Sequence, residues 1–261
     1  MTTFLDLHRP GDPLLIPNPW DVGSARVLAA LGFQALATTS SGFAATLGRH
    51  DMSVTREQAL THAAVIVAAS DLPVSADLEN GFAHDPQGVA LTVRLAKEIG
   101  LAGCSIEDAT GRDEDPLYPA DLAVERVAAA VEAAGDGFVI TARAENHLHG
   151  QDDLADTIAR LQSFQQVGAH VLYAPGVTDP GAIRSLVESV DRPVNVLALP
   201  AAPPVAELAG LGVARISVGG AFAFTAYGAL VAAAREFSER GTYGFWDTAR
   251  EGRAVTDQAF G

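Results

Sequence analysis

Carboxylates are concentrated in two short stretches, Val74-Ser75-Ala76-Asp77-Leu78-Glu79-Asn80-Gly81 and Gly103-Cys104-Ser105-Ile106-Glu107-Asp108. Each reads as an apolar β-strand that ends in acids, and since strand interiors rarely tolerate Asp or Glu, the acids mark strand ends. If the strands are parallel neighbours, Asp77, Glu79, Glu107 and Asp108 meet at one edge of a sheet. Like charges gathered there repel unless a cation intervenes, and an all-oxygen set suits Mg²⁺ or Mn²⁺. The plainer reading is two strands followed by ordinary acidic turns, which the repetition at successive strand ends argues against. A cation so held could chelate the carboxylate and 2-oxygen of a small 2-oxo acid, while Arg143, closing a later strand, pairs with further charge on the ligand. Cation and guanidinium would together stabilise an enolate formed as a C–C bond breaks. The alternative for Arg143 is a salt bridge to Glu145 or to a strand-end carboxylate.

Positioning these groups requires strands, and eight apolar segments qualify, near 14–17, 35–39, 73–77, 102–106, 137–142, 170–173, 193–197 and 213–218. Each is followed by a helical pattern with start or stop signals: Gly32 after the first helix, Thr55 as an N-cap, and Asp85-Pro86 and Asp179-Pro180 at later helix starts. Eight β–α units with strands too apolar for a solvated face predict a single (β/α)₈ TIM barrel. A doubly wound open sheet would present a glycine-rich turn after the first strand, where Asn18-Pro19-Trp20-Asp21 stands instead. The barrel collects chemistry at the C-terminal strand ends. There the sequence offers Ser40 and Ser41, Asp77 and Glu79, Glu107, Arg143, Tyr173 and Asn195 on strands two to seven. Residues 1–241 make up the barrel domain. The tail 242–261, with Tyr243, Phe245, Trp246 and Phe260, is too short to bury its own aromatics and is expected on the barrel or at a subunit interface.

The bulk properties narrow the partners. With 261 residues, of which 48% are hydrophobic, one large core is possible, and a net charge of −15 disfavours nucleic acid and anionic membranes. The single cysteine, Cys104, excludes an internal disulfide and fits a reducing compartment. Residues 1–10 lack the apolar core of a signal peptide, and no segment reads as a membrane span, so a cytoplasmic protein is expected. Gly219-Gly220 sits where barrels bind phosphate, although glycine also serves a tight corner. His147 and His149 are either proton donors near the site or solvated loop residues. Zinc spacing and a Gly-x-Ser-x-Gly elbow are both absent.

Ser40-Ser41-Gly42, Leu47-Gly48-Arg49-His50-Asp51, Ala76-Asp77-Leu78-Glu79-Asn80-Gly81, Ser105-Ile106-Glu107-Asp108 and Thr141-Ala142-Arg143-Ala144-Glu145 together resemble the isocitrate lyase/phosphoenolpyruvate mutase superfamily over nearly the whole chain. The resemblance implies Mg²⁺, with Mn²⁺ as a substitute, on Asp77, Glu79 and Glu107, with Asp51 in an outer ring. It implies catalytic roles for Arg143, Glu107 and Asp51. Ser40, Ser41, Gly42, Asp77, Arg143 and Asn195 would bind a small 2-oxo or 2-hydroxy carboxylate. A homodimer or homotetramer, with the last helix on a neighbouring subunit, is also implied. Lyases of that superfamily carry a Lys-Lys-Cys-Gly-His type loop after strand four. Here residues 109–118 contain no Cys and no Lys, and Cys104 lies inside the strand. The mutases' Lys-Thr-Asn-Ser type loop is missing as well. The expected activity is therefore C–C cleavage through a metal-stabilised enolate, of the methylisocitrate/isocitrate or oxaloacetate-decarboxylating kind. Phosphonate chemistry and a non-catalytic 2-oxo acid binder are the alternatives.

Overall fold

The computed structural model describes residues 3–261, and in it eight parallel strands lie in the order β1-β8-β7-β6-β5-β4-β3-β2. They are β1 (Leu14–Ile16), β2 (Leu36–Ala37), β3 (Val74–Asp77), β4 (Gly103–Glu107), β5 (Val139–Arg143), β6 (Val171–Tyr173), β7 (Val194–Leu197) and β8 (Arg215–Ser217). The seam between β1 and β2 is bridged where the Ala37 N–H donates to the Pro17 carbonyl at 3.0 Å. This is the TIM barrel that the eightfold repeat predicted.

Period-two alternation divides each strand between helices and lumen. Cys104, Ile106 and Ile140 point outward into one helix-facing core, while Leu172, Val194, Val196 and Ile216 enter another. The base of the lumen is apolar, with Leu14, Ala35, Val139 and Val171 packed together with Phe4. Above that layer the inward positions are polar: Ser75, Ser105, Thr141, Asn195, Arg215 and Ser217 are all buried. The strands are thus apolar toward the helices and polar toward the upper lumen.

The helices are α1 (Val22–Ala30), α2 (Ser40–Thr46), α3 (Arg56–Val67), α4 (Pro86–Glu98), α5 (Ala120–Ala134), α6 (Leu154–Gln166), α7 (Pro180–Glu188), α8 (Val205–Gly210), α9 (Ala221–Arg235) and α10 (Trp246–Phe260). Thr55 caps α3 in a reciprocal capping box, and Asp85 and Asp179 cap α4 and α7 ahead of proline, as their spacing predicted. One element differs from expectation. Ser40-Ser41-Gly42, which reads as a polar run, opens α2, with Thr39 as N-cap accepting from the Gly42 N–H at 3.2 Å. Glycine is there for closeness: a Cβ on it would lie 2.6 Å from Thr39 Cγ2 and 3.3 Å from Ala223. Beyond the barrel, α10 turns back along α1. Tyr243 and Trp246 nevertheless stay 60% and 56% exposed, and Leu230 on α9 is 62% exposed, so burial of the tail by its own barrel is incomplete. Among the described residues no helix is long and apolar enough to cross a membrane.

Candidate active site

The β3–β4–β5 register sets the site. Asp77 pairs with Ser105, and Glu107 with Arg143, so two strand-end acids and one guanidinium reach the barrel mouth together. Arg143 is the hub. Its Nη1 donates to Asp77 Oδ1 at 3.1 Å, its Nη2 lies 3.1 Å from Glu107 Oε2, and its Nε donates to Glu145 Oε1 at 2.7 Å. Both partners foreseen for Arg143, Glu145 and the strand-end carboxylates, are therefore taken at once. The Tyr173 ring lies beneath the guanidinium, 5.1 Å from its carbon to the ring centroid.

Asp77 is fixed from three further sides. Ser40 Oγ donates to its Oδ2 at 3.0 Å, Ser105 Oγ to its Oδ1 at 3.3 Å, and its own N–H donates to Thr38 Oγ1 at 3.0 Å. A cavity of about 340 Å³ opens over these groups, lined among others by Ser40, Ser41, Asp51, Asp77, Glu107 and Arg143. Glu79 sits behind it, in a left-handed conformation at φ 49°, buried, with Oε1 lacking any hydrogen-bond partner. Asp108 turns away from the mouth. One of its oxygens accepts the Glu145 N–H at 2.8 Å, and the other meets Arg160 of α6 at 3.0 Å. It braces the β4 and β5 ends instead of facing a ligand.

Gly42 is buried inside α2, and Asn195 lies below the cavity, donating to Ser217 Oγ at 3.0 Å and accepting from Arg215 Nε at 2.9 Å. Neither lines the cavity, although both were expected to bind the substrate; they reach it only through residues that do, Gly42 through Thr39 and Asn195 through Ser217 and Arg215. Asn18 Oδ1 accepts the N–H groups of Val218 and Gly219, each at 2.9 Å, which removes two donors from the phosphate nest that Gly219-Gly220 suggested. Tyr118 also faces away, its hydroxyl 2.6 Å from His84 Nδ1 and its ring under Arg126. His149 lines the cavity whereas His147 does not. Sequence reasoning passed over Ser105, Arg215 and Ser217. Their signal was position: each lies at an inward-facing strand place, Ser105 two residues before Glu107 and Arg215 two before Ser217.

Five carboxylates, Asp51, Asp77, Glu79, Glu107 and Glu145, share the charge of Arg143. Burial, followed by the charges of Asp77 and Asp51, pushes Glu79 up to about 8. Burial also raises Glu107 well above the carboxylate range, against the pull of Arg143 and with the push of Glu145 and Asp77. At the rim, partial burial and then Asp77 raise Asp51. Arg143 holds its proton more firmly than usual: burial opposes this, and the fields of Glu145, Glu107 and Asp77 outweigh it. Such an acid surplus fits a divalent cation, and the unpartnered Glu79 Oε1 is an oxygen donor of the right chemistry. Among the described residues no three acids or histidines form a ready-made cage. Mg²⁺ needs none, because it keeps several waters and takes one or two carboxylates.

In a TIM barrel the C-terminal strand ends are where active sites form, and here that mouth is carboxylate-rich and braced by one arginine. Residues 4–238 match the family described as phosphoenolpyruvate phosphomutase, and the chain belongs to that family of lyases and mutases. A solved structure from Burkholderia cenocepacia J2315, described only as of lyase/mutase type, is 52% identical, with a TM-score of 0.93 over 98% of this chain and 93% of that one. The 2-methylisocitrate lyase of Escherichia coli (strain K12) is 29% identical over 209 residues, covering 73% of this chain and 70% of its own. The oxaloacetate decarboxylase of Pseudomonas putida (strain GB-1) is also 29% identical, over 202 residues, with 74% and 68% covered.

Proposed function

We propose that the protein is a divalent-cation-dependent carbon–carbon lyase for a small 2-oxo or 2-hydroxy carboxylate, with oxaloacetate-type decarboxylation its best-supported reaction. The observation that carries this reading is the surplus of buried acid around a single braced guanidinium, with Glu79 Oε1 unpartnered. Asp77, Glu79 and Glu107 would hold Mg²⁺ or Mn²⁺, with Asp51 beyond them. When bound, the cation would serve as a Lewis acid on the 2-oxo group.

The chain's own groups do the rest. Three of the five N–H donors of Arg143 are spent on carboxylates, leaving two for a ligand. As the C3–C4 bond of a 2-oxo dicarboxylate breaks, CO₂ leaves and the electron pair moves to the 2-oxo oxygen; those two N–H groups can meet the new charge. Protonation at C3 then completes the product, from water or from His149 at the rim. Ser40 and Ser41 border the space where a substrate carboxylate would lie.

Isocitrate-type cleavage needs a base for a hydroxyl proton; the loop after β4 has no Cys or Lys, and its acids Asp113, Glu114 and Asp115 are exposed and do not line the cavity. That loop is closed on itself, the Thr110 N–H donating to Pro116 O at 2.8 Å and Arg112 pairing with Asp115 at 3.0 Å. Decarboxylation needs no such base. The exposed apolar surface of α9 and α10 supports a homodimer or homotetramer.

The test is turnover. Purified protein with Mg²⁺ is given oxaloacetate, 2-methylisocitrate, isocitrate or phosphonopyruvate, and pyruvate, glyoxylate and phosphate are followed. The expected result is pyruvate from oxaloacetate, abolished by EDTA and restored by Mg²⁺ or Mn²⁺. Full activity after thorough chelation would overturn the cation, and product from none of the four would overturn the lyase.

A further inference from the structure

Two cations line the cavity among the described residues, and they are in opposite situations. Arg143 is charge-compensated by three carboxylates. Arg215, on β8, has no acidic partner. Its Nε donates to Asn195 Oδ1 at 2.9 Å and its Nη1 to Thr141 Oγ1 at 3.1 Å, both neutral acceptors. His8 Nε2 lies 3.5 Å from Nη1. His8 Nδ1 is 3.1 Å from the Phe4 carbonyl, so Nδ1 carries the hydrogen and Nε2 is left as another neutral acceptor. Nη2 makes no hydrogen bond among the described residues.

A guanidinium that is 4% exposed and faces only neutral groups is costly to bury unless an anion completes it. Its place says which anion. Arg215 lies two residues before Ser217 on the same inward face of β8 and is bonded to Thr141, two residues before Arg143 on β5, so it lines the cavity from below, whereas the acids crowd the mouth. Tyr173 lies near both arginines; burial pushes its hydroxyl up to about 12, so it supplies no counter-charge at neutral pH. A ligand whose 2-oxo carboxylate end is held at the mouth therefore meets uncompensated positive charge at its other end.

We propose that Arg215 binds the second carboxylate of the substrate and makes the enzyme selective for dicarboxylates over 2-oxo or 2-hydroxy monocarboxylates; this rests on the functional reading above, and in a decarboxylation the contact serves binding and is given up as that carboxylate leaves as CO₂. An apolar residue would fill that place at less cost. An unpaired charge there is explained by recognition.

The test uses a matched, unreactive pair, racemic malate and racemic lactate, which differ by the second carboxylate. Each is titrated calorimetrically into the full-length protein in excess Mg²⁺. Wild type should prefer malate by roughly 10- to 150-fold, the range for a hydrogen-bonded charge contact. Arg215→Met should bring that preference to within about threefold, and Arg215→Lys should recover part of it. Should Arg215→Met not fold, Arg215→Gln, which removes the charge and keeps hydrogen-bonding capacity, gives the same reading. A malate preference that survives in Arg215→Met or Arg215→Gln overturns the assignment, as does a wild type that binds both ligands equally. A wild type that binds neither ligand overturns the functional reading, and the assignment with it.

Discussion

Replacing Arg143 with Met keeps the bulk and removes the charge that Asp77, Glu107 and Glu145 share. Those side chains are 18%, 8% and 3% exposed, so water screens them poorly once the guanidinium is gone. Breaking a buried ion pair from one side costs about 3–5 kcal/mol because charge is left uncompensated. With an unfolding entropy near 2.1 cal/mol/K per residue, a chain of this length should then melt about 5–9 °C lower. The sign of the pH dependence follows from the acids. Glu107 is already raised by burial, and without the opposing pull of Arg143 its folded-state pKa rises further above the unfolded one, so stability is fullest at low pH and is lost as pH climbs through the raised value. Urea unfolding in EDTA should accordingly show a larger deficit at pH 8 than at pH 5.5, and Mg²⁺ should recover part of it. A variant as stable as wild type at pH 8, or a deficit that does not shrink on acidification, would refute the charge-hub account of this site.

In metal-free wild type, Glu79 has a folded pKa of about 8, above its ordinary value of 4.5, so it stabilises below 4.5 and loses that contribution up to about 8. Glu79→Gln should flatten the fall in stability between pH 5 and 8, as measured by urea unfolding in EDTA. Cys104 is fully buried in the helix-facing core, and burial pushes its thiol far up. Cys104→Ser should cost about 1–3 kcal/mol of stability and leave turnover near wild type; a large loss of turnover in a folded variant would place the thiol in the site. Deleting residues 242–261 uncovers α1 and removes Tyr243 and Trp246, so sedimentation should show a shift from oligomer to monomer or aggregate. A monodisperse monomer for the intact chain would remove the interface.

The barrel was legible because its signals are local: apolar runs, caps at Thr55, Asp85 and Asp179, and acids that end strands. Asp77, Glu107 and Arg143 were legible for the same reason, since a charge that closes an apolar run marks where a buried strand reaches the barrel mouth. What escaped depends on direction and neighbours. Nothing in Ile106-Glu107-Asp108 says that adjacent acids point oppositely, one to the cavity and one to Arg160, until the strand's alternation meets a particular helix. The helical start at Ser40 was hidden because small polar residues favour turns and caps equally, and its packing against Ala223 is a contact across most of the chain. Arg215 was hidden in an apolar-looking strand whose inward places turned out polar.

The ion pairs do more than balance charge. From Ser40 of α2 the bonds run to Asp77 of β3, to Arg143 of β5 and to Glu145; the Glu145 N–H then meets Asp108, and Asp108 meets Arg160 of α6. Arg160 is held in turn by Asp156 at 2.8 Å, which also accepts from Asn146 at 2.6 Å. Most of these junctions join different elements of the barrel top, so two of the three acids that grip Arg143, Asp77 at Nη1 and Glu145 at Nε, belong to segments that are themselves held. A guanidinium fixed this way reorganises little as charge develops beside it, and low reorganisation is what makes an electrostatic contribution catalytic. The same bracing explains why the acids can be so crowded, since their repulsion is opposed by bonds distributed over β3, β4, β5 and α6 and not by one flexible pair.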